Sequence, residues 1–244
     1  IFAIDNESIS AIGQWPWSRR VFANTVNMLQ KSHVIAIDVN FSEASKTDPT
    51  GDSFFADAIV HSKPVIILPV QVNSKTKETI EPLDEFKKAS LLGQVNLLND
   101  DGVIRKVNNY QDEFMSFGSL IASEYQKNIF IPDTMRIDYA GSEKTFLTLP
   151  LRDLLQNKIP ERIYKDKVVL VGATASDLHD YFQTPFGALS GVEINANIAN
   201  TILMQKFYKD IPMGVSLAFI ALCSLIATWF IIKLAVVSPL FKVP

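Results

Sequence analysis

The chain has 244 residues, of which 48% are hydrophobic and 20% charged, enough for one large globular domain with an appendage. All 26 acidic residues precede residue 213, against 21 of the 23 basic ones, so the first 212 residues carry a net charge of −5. This acidic balance argues against a nucleic-acid-binding protein, which would present a basic face.

Four short apolar runs predict β-strands that are covered on both faces, as in a parallel sheet. They are FAID (2–5), VIAID (34–38), VIILPV (65–70) and VVLVG (168–172). Helical periodicity follows each of the first two runs, with Ser18 as the candidate N-cap of one helix and Asp52 as that of the next. The βαβαβ order predicts an α/β fold: a mostly parallel sheet with helices on both faces and right-handed crossovers.

The middle of the chain interrupts this alternation. The stretch GQVNLLNDDGVIRKVNNY predicts a β-hairpin insertion turning at Asp101 and Gly102. A 17-residue loop, 175–191, follows the last apolar run, and loops of this length often carry function. The other predicted elements are a helix from about residue 116, a strand within 135–141 and a helix over 191–205.

Residues 213–232 form an uncharged apolar run of 20, which as a helix covers roughly 30 Å. Core helices rarely run this far without a polar face, so the pattern favours a transmembrane helix over a buried core helix. We expect a soluble domain at 1–210, a membrane helix at 211–233, and at 234–244 a juxtamembrane segment or the start of a second span. Because the chain opens at Ile1, we also expect an anchor before it. Two lysines flank the run on each side, which leaves its orientation open.

Catalytic motifs are absent from the sequence. There is no phosphate-binding loop, no dinucleotide fingerprint, no HExxH and no G-x-S-x-G. The three histidines are scattered and the only cysteine, Cys223, lies in the apolar run, so neither a zinc site of ordinary spacing nor a cofactor is expected. An aspartyl-nucleophile phosphohydrolase would need a second aspartate two residues after Asp5 or Asp38, where Glu7 and Asn40 stand instead. We predict no catalytic residues.

Five residues form the candidate ligand-binding set. Asp5 and Asp38 end the first two apolar runs, and Asp180 lies in the loop after the last one. If these strands are parallel neighbours, the three carboxylates gather at the carboxyl edge of the sheet, where open α/β sheets bind ligands. Trp15 is a candidate pocket wall and Arg19 a candidate partner of the acids. The alternatives are that each carboxylate caps a helix or braces a loop, that Trp15 only packs, and that Arg19 makes the cluster structural. Whether a divalent cation binds is left open.

Six stretches in order resemble one family. They are the opening IFAID, IGQWPWSRRVFANTVNML, VIAIDVNFSE, GQVNLLNDDGVIRKV, VVLVGATASDLHDYFQTPFG and GVEINANI. Together they resemble the type-two CHASE domain, an extracellular sensory domain associated with bacterial cyclases and histidine kinases, over nearly all of residues 1–205. The resemblance implies a periplasmic or extracellular input domain in the bacterial cytoplasmic membrane. The output, a nucleotide cyclase, a diguanylate cyclase or a kinase, would lie outside this chain.

The resemblance also implies a homodimer, because cyclase and kinase outputs generally act as dimers. Its other expected partners are the membrane, an envelope protein and an unknown small ligand. The rival interpretation is a structural or assembly subunit of a cell-envelope complex that uses the same fold for protein contacts. A third, a metal-dependent hydrolase, rests on the aspartates alone. A cyclase or kinase sequence after residue 244 would favour the sensor. A stop codon soon after residue 244 would favour the structural subunit.

Overall fold

A computed structural model describes residues 1–46, 48–73, 76–98 and 101–237, with side chains to residue 234. The chain divides into two compact units, Ile1–Phe207 and one that begins at Tyr208. The strands of the first unit are β1 (Phe2–Ile4), β2 (Val34–Asp38), β3 (Val65–Val72), β4 (Thr79–Ile80), β5 (Leu91–Gln94), β6 (Lys106–Asn108), β7 (Tyr110–Gln111), β8 (Phe114–Met115), β9 (Thr134–Arg136), β10 (Leu149–Pro150), β11 (Val168–Ala173), β12 (Tyr181–Thr184) and β13 (Gly187–Ser190). Its helices are α1 (Asn6–Ile12), α2 (Arg19–Met28), α3 (Pro49–Val60), α4 (Asp84–Lys87), α5 (Phe117–Tyr125), α6 (Leu151–Leu155) and α7 (Gly191–Leu203), with 3₁₀ turns at Glu161–Ile163 and Ser176–Leu178; the second unit contains α8 (Met213–Val237).

The main sheet has seven strands in the order β10-β1-β11-β2-β3-β4, with β5 also paired to β3. Every pair in it is parallel except β3–β4. The late strand β11 inserts between the two earliest ones, so that Val171 aligns with Phe2 on one side and with Ile37 on the other. The mostly parallel sheet predicted from the four apolar runs is confirmed, and the carboxyl ends of β1, β11 and β2 meet at one edge.

Helices cover both faces of the sheet. In β2, Ile35 and Ile37 belong to the core under α2 and α3, whereas Val34 and Ala36 belong to the core under α5 and α7. This alternation follows from the two-residue period of a strand, and it explains why the strands read as continuous apolar runs. The first core is centred on four buried phenylalanines whose neighbouring ring centroids lie 4.9 to 6.0 Å apart: Phe22, Phe41, Phe55 and Phe86.

Helix α7 is buried along most of its length and carries a polar stripe inside the second core. Glu193, Asn197 and Thr201, spaced four residues apart, accept hydrogen bonds of 2.7 to 2.9 Å from backbone N–H groups within 138–144. The backbone of that segment is therefore held by side chains of α7 instead of by a neighbouring strand. This is why the strand predicted within 135–141 ends at Arg136.

Some local predictions were wrong. The N-cap of α3 is Asp48, whose side chain accepts a hydrogen bond from the Gly51 N–H, and Asp52 lies one turn later. Around Asp101 and Gly102 the predicted hairpin is reduced to one antiparallel bridge, between Leu98 and Lys106, while β5 joins the main sheet and β6 pairs antiparallel with β9. A further hairpin, β12–β13, lies within the segment that the sequence suggested was a long loop. The cap predicted for α2, at Ser18, and the predicted start of α5 near residue 116 agree with the structure.

The second unit contains the apolar helix. Its stretch Met213–Leu234 has a mean hydropathy of 2.4 and exposed side chains, so it is not a core helix of this chain. Among the described residues it is the one helix long and apolar enough to cross a membrane. The helix continues past Lys233 to Val237. Most of the juxtamembrane segment expected at 234–244 lies outside the described residues.

Candidate ligand-binding site

A cavity of about 710 Å³ opens at the carboxyl edge of the main sheet. Its wall is built from the ends of β2 and β11, the first turns of α7, and the segments 15–19 and 42–46. Its volume lies within the range of roughly 300 to 1,000 Å³ typical of small-molecule sites. Open parallel sheets place ligands at this edge because the loops after the strands splay apart there.

Asp38 is the last residue of β2 and lies opposite Gly172 of β11 on the cavity wall. Its carboxylate accepts a hydrogen bond of 3.0 Å from Nδ2 of Asn195 in α7. Burial raises the pKa of Asp38 to about 6, and the hydrogen bond from Asn195 opposes this rise without cancelling it. Asp38 therefore titrates much closer to neutral pH than a surface aspartate does.

Asp180 lies just before β12, beside the N-terminus of α7. A Cβ placed on Gly191 would be 2.6 Å from one carboxylate oxygen of Asp180, so the absence of a side chain at Gly191 permits this approach. Burial, and secondarily the negative charge of Asp38, raise the pKa of Asp180 to about 7, while the N–H of Gly191 acts in the opposite direction. The two carboxylates therefore lie close enough to repel each other at this edge.

Arg19 lines the same cavity, but its guanidinium group pairs with Asp52 and not with the two cavity aspartates. Its Nε lies 3.4 Å from Oδ1 of the buried Asp52, and its Nη2 donates a 3.0 Å hydrogen bond to the carbonyl of Glu43. Within the described chain, neither Asp38 nor Asp180 forms an ion pair with it. The alternative in which Arg19 neutralises the aspartates is therefore wrong, because Asp52 is its partner.

Asp5 does not join the other two aspartates, and the prediction of one shared cavity was wrong for this residue. Its Oδ1 accepts a 2.8 Å hydrogen bond from the Ser8 N–H and so caps α1, a helix that the sequence did not indicate. It lines a separate cavity of about 460 Å³ together with Glu7 and Lys144. The reason is local: α1 begins directly after Asp5, whereas a loop without helix follows Asp38.

Aromatic side chains form part of the cavity wall. Trp15 is partly exposed on it, with its ring centroid 5.2 Å from that of Trp17 in an edge-on arrangement. Trp17 is buried and donates a 2.8 Å hydrogen bond from Nε1 to the Gly13 carbonyl, which is a packing role. Phe182 of β12, which sequence reasoning missed, adds a second partly exposed ring.

Asn195 is the other residue of the site that sequence reasoning missed. The signal was present, because this polar residue stands off the stripe of Ile194, Ile198 and Ile202 that defined the helix. It is 4% exposed and lies on the cavity wall. No described residue donates a hydrogen bond to its Oδ1. Since Asn195 lines the cavity, its Oδ1 is a candidate acceptor for a ligand there.

The described part of the chain offers little for a metal or for catalysis. It contains no group of three or more His, Cys, Asp or Glu side chains arranged to hold a metal ion. Two carboxylates fall short of the six to eight oxygen ligands that calcium takes. The described lining of the cavity includes no histidine, cysteine or tyrosine to act as a base or nucleophile beside the acids. The arrangement suits recognition of a ligand.

These features define an α/β domain with a polar cavity at the carboxyl edge of its sheet, followed by an apolar helix of spanning length. A family model described as CHASE2 domain matches residues 1–235, and the chain belongs to this family of extracellular sensory domains found in signalling receptors. The match includes most of α8, and it confirms the resemblance seen in the sequence. No curated protein and no solved structure matches the chain.

Proposed function

We propose that this chain is the extracytoplasmic input domain of a membrane-bound bacterial receptor. In this proposal the first unit lies in the periplasm or outside the cell, and α8 crosses the cytoplasmic membrane. The output domain on the other side is a nucleotide cyclase, a diguanylate cyclase or a kinase. Membership of a sensory family and the presence of an apolar helix of spanning length support it.

The observation that carries the proposal is the position of α7. Its first turns line the cavity through Gly191 and Asn195, and its last residue is Leu203. With 13 residues it is roughly 20 Å long. Nine residues, 204–212, then join it to α8. One helix therefore connects the cavity, through a short stretch of chain, to the apolar helix.

A signal requires that the ligand bind two states of the domain unequally. We propose that α7 is the element whose position differs between those states, because it contributes to the cavity at one end and leads to the membrane at the other. We also propose that the receptor works as a homodimer, since two output domains must be brought together. The receptor would be active as a pair of chains in one membrane.

The test uses the full-length protein in membranes, with the output activity as the readout. A flexible six-residue Gly-Ser insertion after residue 210 lengthens the connection between α7 and α8. We expect it to abolish the response to the stimulus while the protein remains folded and inserted. The same insertion after residue 128, in an exposed loop, is the matched control and should leave the response intact.

An insertion after residue 210 that leaves the response unchanged would contradict the relay. A full-length protein that carries no output domain and purifies within an envelope complex would favour the structural subunit instead. Both results are read from the same membranes, by activity in the first case and by co-purification in the second.

A further inference from the structure

The cavity at the sheet edge holds two carboxylates that no ion pair of the described chain neutralises, although Lys46 also lines it. Asp38 and Asp180 form no ion pair with any described residue, and Arg19 is paired with Asp52. When both are ionised, the two carboxylates repel each other, and a cation between them offsets that repulsion without the need for a proton. The site is therefore complementary to a positively charged ligand.

The hydrogen-bond acceptors on the cavity wall indicate which class of cation fits the site. Asp38, Asp180 and the Oδ1 of Asn195 are three acceptors on the same wall. An ammonium group has three N–H donors and no acceptor, so its donors match these acceptors in number and kind. A calcium ion would need several more oxygen ligands than the wall supplies. A quaternary ammonium would leave all three acceptors without a donor.

The walls around these acceptors also suit an organic cation. Trp15 and Phe182 present partly exposed rings to the cavity, and aromatic faces attract ammonium groups and pack against the carbon chain that carries them. A cavity of about 710 Å³ has room for an aliphatic amine beyond its ammonium group.

We propose that this cavity binds a small primary amine in its ammonium form, with Asp38, Asp180 and Asn195 as the acceptors and Trp15 and Phe182 as the aromatic walls. The inference rests on the proposed function, since it names the class of signal that the input domain receives. It assigns no role to Asp5, which faces a different cavity.

Acid should weaken this binding. Below pH 6 both carboxylates become protonated, because burial raises the pKa of Asp38 to about 6, and burial together with the charge of Asp38 raises that of Asp180 to about 7. A protonated carboxyl loses its charge and one of its acceptor positions. The other charged or titratable groups near the two acids are the cavity residues Arg19, Glu43 and Lys46, with Glu193 and Tyr181 on the neighbouring elements α7 and β12.

The experiment is calorimetric titration of the whole 244-residue chain in detergent micelles at pH 8. The probes are propylamine and 1,4-diaminobutane, with 1,4-butanediol as the uncharged control and tetramethylammonium as the cation without N–H donors. Calcium and magnesium chloride are titrated in parallel. The variants are Asp38→Asn and Asp180→Asn, and Asp133→Asn, which removes one exposed carboxylate away from the cavity, is the matched control.

We expect saturable binding of one amine per chain, weakened by about thirtyfold or more in either cavity variant and unchanged in Asp133→Asn. At pH 5 the affinity of the wild-type chain should fall by about tenfold or more. Thermal unfolding of each variant verifies that it is folded.

No saturable heat with either amine at millimolar concentration would overturn the proposal, and so would equal binding by the cavity variants. Binding of calcium or tetramethylammonium in place of the amines would also overturn it and point to an inorganic or quaternary cation. If an amine binds but the insertion after residue 210 has no effect, then the proposed binding site stands and the proposed relay through α7 is refuted. If the insertion abolishes the response but no amine binds, then the proposed sensory function stands and primary amines are refuted as its ligands.

Discussion

Replacing Asp38 with Asn should stabilise the fold at neutral and alkaline pH. Burial raises the pKa of Asp38 from its ordinary value of 3.8 to about 6. At about 1.4 kcal/mol for each pKa unit, the ionised carboxylate lowers the free energy of unfolding by about 3 kcal/mol at pH 8. Asn has nearly the same shape and its Oδ1 can accept the hydrogen bond from Asn195, so the variant removes the charge without leaving an unpaired group.

The direction in which the stability changes with pH follows from proton binding to Asp38. Because the folded chain holds a proton on Asp38 at pH values where the unfolded chain has lost it, the wild-type stability falls as pH rises from about 4 through 6. Below pH 4 both states are protonated and the carboxylate has no unfavourable effect. We therefore expect Asp38→Asn to be more stable than wild type by ~1–3 kcal/mol at pH 8, and the difference to shrink toward zero near pH 4.

The assay is urea unfolding of the whole chain in detergent micelles, followed by tryptophan fluorescence at pH 4.5, 6 and 8. Asp133→Asn is the control and should stay within about 0.5 kcal/mol of wild type at every pH, because its carboxylate is exposed. If Asp38→Asn is destabilised equally at all three pH values, then the carboxylate is a structural brace and the reasoning from its burial is refuted.

Four further predictions use other features of the chain. Gly191→Ala should leave the fold intact but weaken amine binding about tenfold, measured by calorimetry, because the new Cβ lies 2.6 Å from the Asp180 carboxylate and displaces it; unchanged affinity would contradict the placement of Asp180. Gly172→Ala should lower the free energy of unfolding by ~1–3 kcal/mol, since its Cβ would be 2.7 Å from that of Val192, which cannot swing aside; a neutral result in urea unfolding would argue against this close approach of β11 and α7. A reporter enzyme that is active only in the periplasm should be active when fused after residue 210, and a stable but inactive fusion would reverse the topology. The chain should show no turnover of phosphoesters, peptides or nucleotides in standard hydrolysis assays, and hydrolysis that disappears in either carboxylate variant with the fold intact would make it an enzyme.

The sequence determined the architecture because its signals there are local and repeated. A strand buried on both faces must be apolar at every position, so VIAID and VVLVG could be assigned to a parallel sheet without coordinates. The cap at Ser18 begins its helix by accepting a hydrogen bond from the N–H two positions on, and such a local contact could be predicted from the sequence. An uncharged run of bilayer length is likewise readable from composition.

Only the tertiary structure decided which polar residues share the cavity. Asp5 and Asp38 follow similar apolar runs, yet one caps a helix and the other faces the cavity, because α1 starts at Asn6 and no helix starts at Val39. Arg19 lines the same cavity as Asp38, but its partner Asp52 is brought to it by the packing of α3 on α2. Such pairings join groups that are far apart in sequence, so the helical and strand periodicities of the sequence do not predict them.

The same reason explains the residues that were missed. Asn195 reaches Asp38 across 157 positions of chain, and it does so because α7 packs on β11 where Gly172 leaves room for Val192. Residue type and spacing determine whether a segment becomes a strand, a helix or a span. Which side chains meet at the edge of the sheet depends on how those segments pack, and that arrangement exists only in the folded chain.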